Sequence, residues 1–299
     1  MGHLGVALDL RAGLAAQGKM VTLKRPSIEA FKVHSNDFPI GIEVKNHKAC
    51  PRYSGLTISD IKVQESPEWL CRKLQAIGLS PVNNVVDITN YVLHETGNPL
   101  HAFDAKKIKG NKIVVKTAEK GTPFKTLDEK ERTLDANDLM ICNQKEPMCL
   151  AGIFGGIDSG VSEKTTSIFL ESAFFNPVSI RKSAKRHSLN TDASFRFERT
   201  VDPNNVLWAL KRAALLIQEI AGGRITSELV DIYPKPIENF IVDFSYDNCD
   251  ALIGESIDRN TIKDILSNLE IEIIEENSHK LKLSVPAYRA DVQREVDVI

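Results

Sequence analysis

The sequence predicts an α+β fold: a larger domain with mixed or largely antiparallel sheets and flanking helices, then a smaller domain. Three observations carry this. Short β-branched runs separated by Gly, Asp and Asn turns recur between Ile40 and Leu170, and apolar residues at helical spacing interrupt them only locally. Pro234 and Pro236 form a stiff junction, after which a new alternation of strands and helices begins. At 299 residues the chain is also too long for one comfortable core.

In order, residues 1–39 open with an apolar-periodic segment (Leu4, Ala7, Leu8, Ala15) and continue through Lys24-Arg25-Pro26 without strong period. A helix that starts at once with no core of its own reads as the end of a preceding domain and its linker. Residues 40–236 form the main domain. Its strands begin at Ile42 and Val44 and continue through Tyr53 to Val63. A helix follows, with Ser66 as N-cap, Pro67 at N1, apolar Leu70, Leu74 and Ile77, and Gly78 at its end. In Pro81 to Asp104, Val85, Ile88 or Thr89, Val92 and Leu93 recur at helical spacing. Asn83 or Asn84 can cap that helix, and Gly97 and Pro99 stop it. Short strands are expected at 112–117, 138–142 and 167–170. Asp202-Pro203 opens the clearest helix, with Val206, Leu210, Ala213, Ala214, Ile217 and Ile220 on one side and Gly222-Gly223 at its end. Residues 237–299 read strand, helix, helix, strand, strand, with Asp258 capping the second helix, an order that resembles the winged-helix architecture.

Composition excludes several classes. The 42% hydrophobic and 26% charged content is that of a globular protein, and no apolar run approaches the roughly 18–20 residues that span a membrane. Leu4 to Leu8 is broken by Asp9 and Arg11, so it is no signal peptide, and Val6 spoils a myristoylation pattern. A cytoplasmic chain is expected. Five cysteines without a C-x-x-C pair point to free thiols packed in cores rather than to zinc or disulfides. A net charge of -2 argues against indiscriminate nucleic-acid binding, so any RNA contact must be local.

Residues 81–104 carry more polar groups than a core helix needs: Thr89 and Asn90, then His101 and Asp104 on the exit past Pro99, read as a loop. A lone histidine is more often packed or solvated than catalytic. Gly152, Gly155 and Gly156 read equally as turn glycines, and no phosphate-loop pattern accompanies them. Glu171, between Ile168-Phe169-Leu170 and Ala173-Phe174-Phe175, is either a surface acid at a strand end or a buried reader of a polar group. Arg181, Lys182, Lys185 and Arg186 form a basic stripe on a helix opened by Asn176-Pro177: a solvated face, or a phosphate contact for RNA. Asp291 and Asp297, six apart, are unremarkable by themselves.

Five stretches taken together change the weighting. Residues 81–104, Leu150-Ala151-Gly152-Ile153-Phe154-Gly155-Gly156, Phe169-Leu170-Glu171-Ser172-Ala173-Phe174-Phe175, Ser179-Ile180-Arg181-Lys182 and Phe195 to Pro203 occur in the order found in bacterial phenylalanyl-tRNA synthetase beta subunits. The chain resembles that family from about Leu4 to its last residue. The resemblance implies a tRNA-editing domain at 40–236 and a winged-helix-like domain, truncated at its C-terminal end, at 237–299. It also implies post-transfer editing, the hydrolysis of mischarged tyrosyl-tRNA(Phe), so that this chain would be an ester hydrolase within a ligase whose aminoacylation site lies in the alpha subunit. His101 would position or activate water, a task suited to an imidazole titrating near neutral pH. Thr89, Asn90, Pro99, Ala151, Gly152, Gly155, Gly156 and Glu171 would contact the substrate, with glycine-loop amides polarising the ester and Glu171 reading the tyrosine hydroxyl. The full enzyme would be an alpha-2 beta-2 tetramer using ATP and magnesium on tRNA(Phe), and editing itself would require no cofactor. Asp291 and Asp297 match magnesium ligands, but the two glutamates that complete the set are missing here, so coordination should be incomplete. Ser80, Val82, Asn98 and Thr200 depart from the family's usual Arg, Ile, Gln and Gly. A rival reading from another class is a non-catalytic tRNA-binding and subunit-assembly module.

Overall fold

A computed structural model describes residues 2–299. In chain order its elements are α1 (His3–Ala16), β1 (Gly41–Val44), β2 (Arg52–Ile61), α2 (Glu68–Gln75), α3 (Asn84–Thr96), β3 (Leu100–Asp104) and β4 (Lys112–Thr117). Then come β5 (Pro123–Lys125), β6 (Glu131–Thr133), β7 (Leu139–Cys142), β8 (Pro147–Leu150), β9 (Phe154–Gly155), β10 (Ser167–Phe174), α4 (Pro177–Arg186) and α5 (Asp192–Phe197). The rest are α6 (Val206–Ala221), β11 (Gly222–Ile225), β12 (Val230–Ile232), β13 (Phe240–Ser245), α7 (Tyr246–Ile253), α8 (Arg259–Asn268), β14 (Glu272–Glu276), β15 (Lys280–Val285) and α9 (Glu295–Val298). The fold is α+β, and the chain divides into two compact units: Pro26–Lys235, and His3–Arg25 together with Pro236–Ile299. Residues 1–39 therefore contribute to both.

The larger unit holds two principal sheets. One runs β1-β4-β7-β8-β9, with β1 and β4 parallel and the other pairs antiparallel. The other runs β11-β2-β10-β3, with β12 also on β2, and is antiparallel throughout. Side chains alternate across a strand, so registered partners share a face. Leu56, Leu170 and Ala102 are registered across β2, β10 and β3, and they belong to the core that α2, α3 and α6 build with Leu70, Val85, Ile88, Val92, Leu210 and Ile217. One residue along, Gly55, Glu171 and His101 are registered on the opposite face.

Local chemistry explains the helix that starts the site. Asn83 caps α3 by accepting from the Val85 and Val86 N–H groups at 3.1 and 3.0 Å, and Gly97 closes it at φ 80. Asn84 is instead buried, its side chain bound to Gln64 N–H and the Lys62 carbonyl. Two boundary expectations need correction. Ser66 does not cap α2, whose N-cap is Pro67; its hydroxyl goes to the buried carboxylate of Asp87 at 2.5 Å. Helix α6 starts at Val206 rather than at Asp202-Pro203, because a turn closed by Asn205 N–H on the Asp202 carbonyl intervenes. Thr200 sits at φ 71, a conformation that suits glycine and costs a β-branched residue of order 1–3 kcal/mol.

In the smaller unit the strand, helix, helix, strand, strand order appears as β13, α7, α8, β14 and β15, with an antiparallel β13-β15-β14 sheet. Ser245 caps α7 and Asp258 caps α8. Val242, Phe244, Ile262, Leu266, Leu281 and Leu283 fill its core. Helix α1 packs on α8, tied by Arg11 to the Asn268 carbonyl and by Asp9 to Arg289. Four of the five free cysteines are buried and Cys71 is partly exposed. Among the described residues, no helix is long and apolar enough to cross a membrane.

Candidate active site

A cavity of about 470 Å³ opens in the larger unit between α3, β3, the Gly152–Gly155 turn and the start of α5. Helix α3 presents Asn83, Val86, Thr89, Asn90 and Leu93 to it, while Val85, Ile88 and Val92 face the core. This division follows from the 3.6-residue period. The Thr89 hydroxyl donates to the Val86 carbonyl of its own helix at 2.7 Å.

His101 and Glu171 face the cavity as direct cross-strand partners. His101 thus lies in an edge strand and not in a loop. Pro99 suits that position, because it precedes the strand and lacks only an N–H that the ladder does not use. Glu171 is 4% exposed, and one carboxyl oxygen pairs with the Tyr53 hydroxyl at 2.8 Å. Burial pushes this carboxyl up to about 8, against the smaller opposing effect of the Tyr53 hydrogen bond, so it is largely protonated at neutral pH. Burial also pushes His101 down to about 4, and its Nε2 has no hydrogen-bond partner. The expectation of an imidazole titrating near neutral pH is thereby corrected: a ring taken out of water resists its charged form.

These two shifts set a measurable pH dependence. Glu171 titrates at about 8 when folded and near 4.5 when unfolded, so the native state holds the extra proton between those values and stability falls as pH rises. His101 titrates at about 4 folded and near 6.5 unfolded, so the unfolded state holds the extra proton between those values and stability rises with pH. The slopes oppose one another from 4.5 to 6.5. From 6.5 to 8 Glu171 acts without that offset and contributes a fall of about 1.4 kcal/mol per pH unit. Denaturant unfolding of Glu171→Gln should show this descending limb removed, and identical slopes in variant and parent would refute the assignment.

The three glycines separate. A Cβ on Gly155 would meet Leu127 Cδ1 at 2.9 Å and His101 Cε1 at 3.3 Å, so its bareness keeps the cavity floor open. Gly152 takes φ 67 and lines the cavity, and its N–H donates to no group among the described residues. Gly156 does not line the cavity, and its N–H is committed to the Met148 carbonyl at 2.8 Å, which removes it as an oxyanion donor. Ala151 is also absent from the wall; it is buried, with its N–H on the Leu139 carbonyl.

A family model described as the B3/4 domain matches residues 49–222, the part of the chain that holds this cavity, and a second, the tRNA synthetase B5 domain, matches 242–299. Whole-chain similarity decides the family: phenylalanine–tRNA ligase beta subunits of Bacteroides thetaiotaomicron and Bacteroides fragilis are 55% and 54% identical over 99% of this chain. The chain belongs to the phenylalanine–tRNA ligase beta-subunit family. The corresponding subunit of Geobacter sulfurreducens is 41% identical over 300 residues. The chain spans 36% of the length of each of these relatives. An N-terminal fragment of the phenylalanyl-tRNA synthetase beta-subunit from Pyrococcus horikoshii is 16% identical, with a TM-score of 0.44 over 99% of this chain and 80% of that one.

In this beta-subunit family member, Thr89, Asn90, Pro99, His101, Gly152, Gly155 and Glu171 come together in one cavity. Sequence reasoning missed Tyr53, Leu127, Cys149, Thr191 and Asp192. The spacing of Thr191 and Ser194 could have signalled the capping box that orders α5, but nothing local marks Tyr53 as the partner of Glu171. Among the described residues, only Arg186 of the basic stripe is held by carboxylates. Arg186 is engaged by Asp138 and Asp135, and it lines a second concavity together with Lys182, Lys48, Asn46, Asn137 and Ser179. All four residues of the stripe, Arg181, Lys182, Lys185 and Arg186, are exposed. In the smaller unit, Asp297 turns onto Arg294 at 2.7 Å, which with neighbouring N–H groups holds its carboxyl down at about 2, and Asp291 is exposed. Among the described residues no cluster of three or more His, Cys, Asp or Glu could hold a metal ion. Two carboxylates, one of them bound to arginine, do not fit a hard cation that takes about six oxygens.

Proposed function

We propose that this chain hydrolyses the ester of mischarged tyrosyl-tRNA(Phe), acting as the editing module of a phenylalanine–tRNA ligase. The observation that carries the reading is the cross-strand placement of His101 beside a buried, protonated Glu171 in one cavity. A protonated carboxyl can both donate to and accept from a phenol. A phenylalanyl side chain would leave that buried carboxyl with the Tyr53 hydroxyl alone and its remaining hydrogen-bonding capacity unfilled, so the cavity favours the residue that carries the extra hydroxyl. His101, neutral and with Nε2 unpaired, suits the orientation of a water molecule better than its outright deprotonation. The ester carbonyl would find the Gly152 N–H as donor. Lys182, with Arg181 and Lys185, would contact the phosphate backbone of tRNA(Phe), and Arg186 would share in this only by leaving Asp138.

In this proposal ATP and magnesium serve the whole cytoplasmic ligase, in which an alpha subunit completes an alpha-2 beta-2 tetramer, and the hydrolysis described here needs neither. Deacylation assays with tyrosyl- and phenylalanyl-tRNA(Phe) test it. The chain is expected to prefer the tyrosyl ester, and Glu171→Ala should narrow that preference by about 0.5–1.5 kcal/mol, the scale of a hydrogen bond between neutral groups. Equal losses on both esters would refute the reader role, and a parent chain with no hydrolysis would favour the non-catalytic tRNA-binding and assembly module. In parallel, Lys182→Glu should weaken tRNA binding and flatten its salt dependence, and unchanged binding would remove the stripe from the interface.

A further inference from the structure

The turn joining β5 and β6 sends Leu127 into the cavity wall, although the residue is 46% exposed. Its place is fixed. The Leu127 N–H donates to the Gly155 carbonyl at 3.0 Å, the Ile157 N–H donates to the Lys125 carbonyl at 3.2 Å, and Thr126 bridges to Gly156. Beneath the tip, Arg132 binds the Thr126 hydroxyl at 3.0 Å, Asp128 at 2.9 Å and the His187 carbonyl at 2.7 Å. Leu127 Cδ1 and His101 Cε1 approach the same point above Gly155, at 2.9 and 3.3 Å from where a Cβ would stand. The imidazole also packs edge-on against Phe103, with ring centroids 4.4 Å apart.

We propose that Leu127 is a positioning residue for His101, an apolar stopper on the hairpin tip that keeps bulk water off the Cε1 edge and holds the ring against Phe103. The stopper deepens the editing reading, since it decides which water reaches Nε2, but the exclusion of water is a property of this chain whether or not an ester ever binds. A dry ring is an uncharged ring, and the orphaned Nε2 has a capacity for one hydrogen bond that the protein does not fill. The titratable groups that share the cavity with His101 are Glu171 on β10, Cys149 on β8 and Asp192 on α5, and changes at Leu127 leave all three in place.

The test is an NMR titration of the imidazole in the 299-residue chain, with His101→Asn used to identify its resonance. Leu127→Asn should raise the midpoint by about one pH unit or more toward the value of a solvated histidine, and Leu127→Ala should raise it less. Leu127→Ile, which conserves volume, should leave it unchanged. Thermal unfolding of each variant confirms that the exposed tip tolerates the change. A midpoint unmoved in folded Leu127→Asn, or a parent midpoint already near 6.5, overturns the proposal. A second arm follows the pH profile of tyrosyl-tRNA(Phe) hydrolysis, which Leu127→Asn should displace and Leu127→Ile should not. Shifted NMR midpoints together with a parent chain that hydrolyses nothing would leave the stopper standing and the editing reading refuted.

Discussion

His101→Ala is expected to slow single-turnover hydrolysis of tyrosyl-tRNA(Phe) by roughly a hundredfold, at the lower end of what a positioned acid–base or water-orienting group supplies. The geometry explains both the size and the limit of the effect. Nε2 is unpaired and can hold one water, while the ring, pushed down to about 4, has little appetite for a whole proton. Preference for tyrosine over phenylalanine should survive, because Glu171 and Tyr53 are untouched. The rate of the parent should show no inflection near pH 6.5 arising from His101. A loss smaller than about threefold, or selectivity that collapses together with rate, would remove His101 from the chemistry.

Asp138→Ala should destabilise the larger unit by about 3–5 kcal/mol, the cost of breaking a buried charged network from one side. Asp138 has no exposed surface. Its carboxylate receives the Ser183 hydroxyl at 2.7 Å, His187 Nε2 at 2.7 Å and the Asp135 N–H at 2.8 Å, and it also pairs with Arg186. Burial alone would push this carboxyl up, and the hydrogen bonds from the Asp135 N–H, Ser183 and His187 outweigh it and hold the group below the usual range. The network pins α4 to the start of β7, and Arg132 extends it through the His187 carbonyl to the hairpin that carries Leu127. Urea unfolding measures the effect. A loss under about 1 kcal/mol would reduce the hub to the worth of a surface ion pair.

Much of the fold was legible because periodicity is a local property. Asn83, Gly97, Asn176 and Asp258 act as caps and stops where their residue types predict, and the helical stripe of α6 is buried as its spacing requires. What could not be read is what depends on distant partners. Ser66 is drawn from its cap position by Asp87, a residue twenty-one further on, and Arg186 of the basic stripe is paired with Asp138, forty-eight residues earlier. The same holds in the site. Types and order suggested His101 and Glu171, but their direct pairing, the Tyr53 hydroxyl and the Leu127 contact arise only from β-sheet register and a loop closing over Gly155.

Because His101 and Glu171 are rungs of one ladder, their alignment in the candidate site is inherited from strand pairing. A slip of β3 by a single residue would turn the imidazole toward the helices and set a neighbouring β3 side chain opposite Glu171 in its place. Alignment and backbone protection are then one quantity. Amide hydrogen exchange along Leu100 to Asp104 reports, without any substrate, what fraction of molecules holds the pair in register, and a substitution remote from the cavity that loosens this edge strand would act as an active-site mutation.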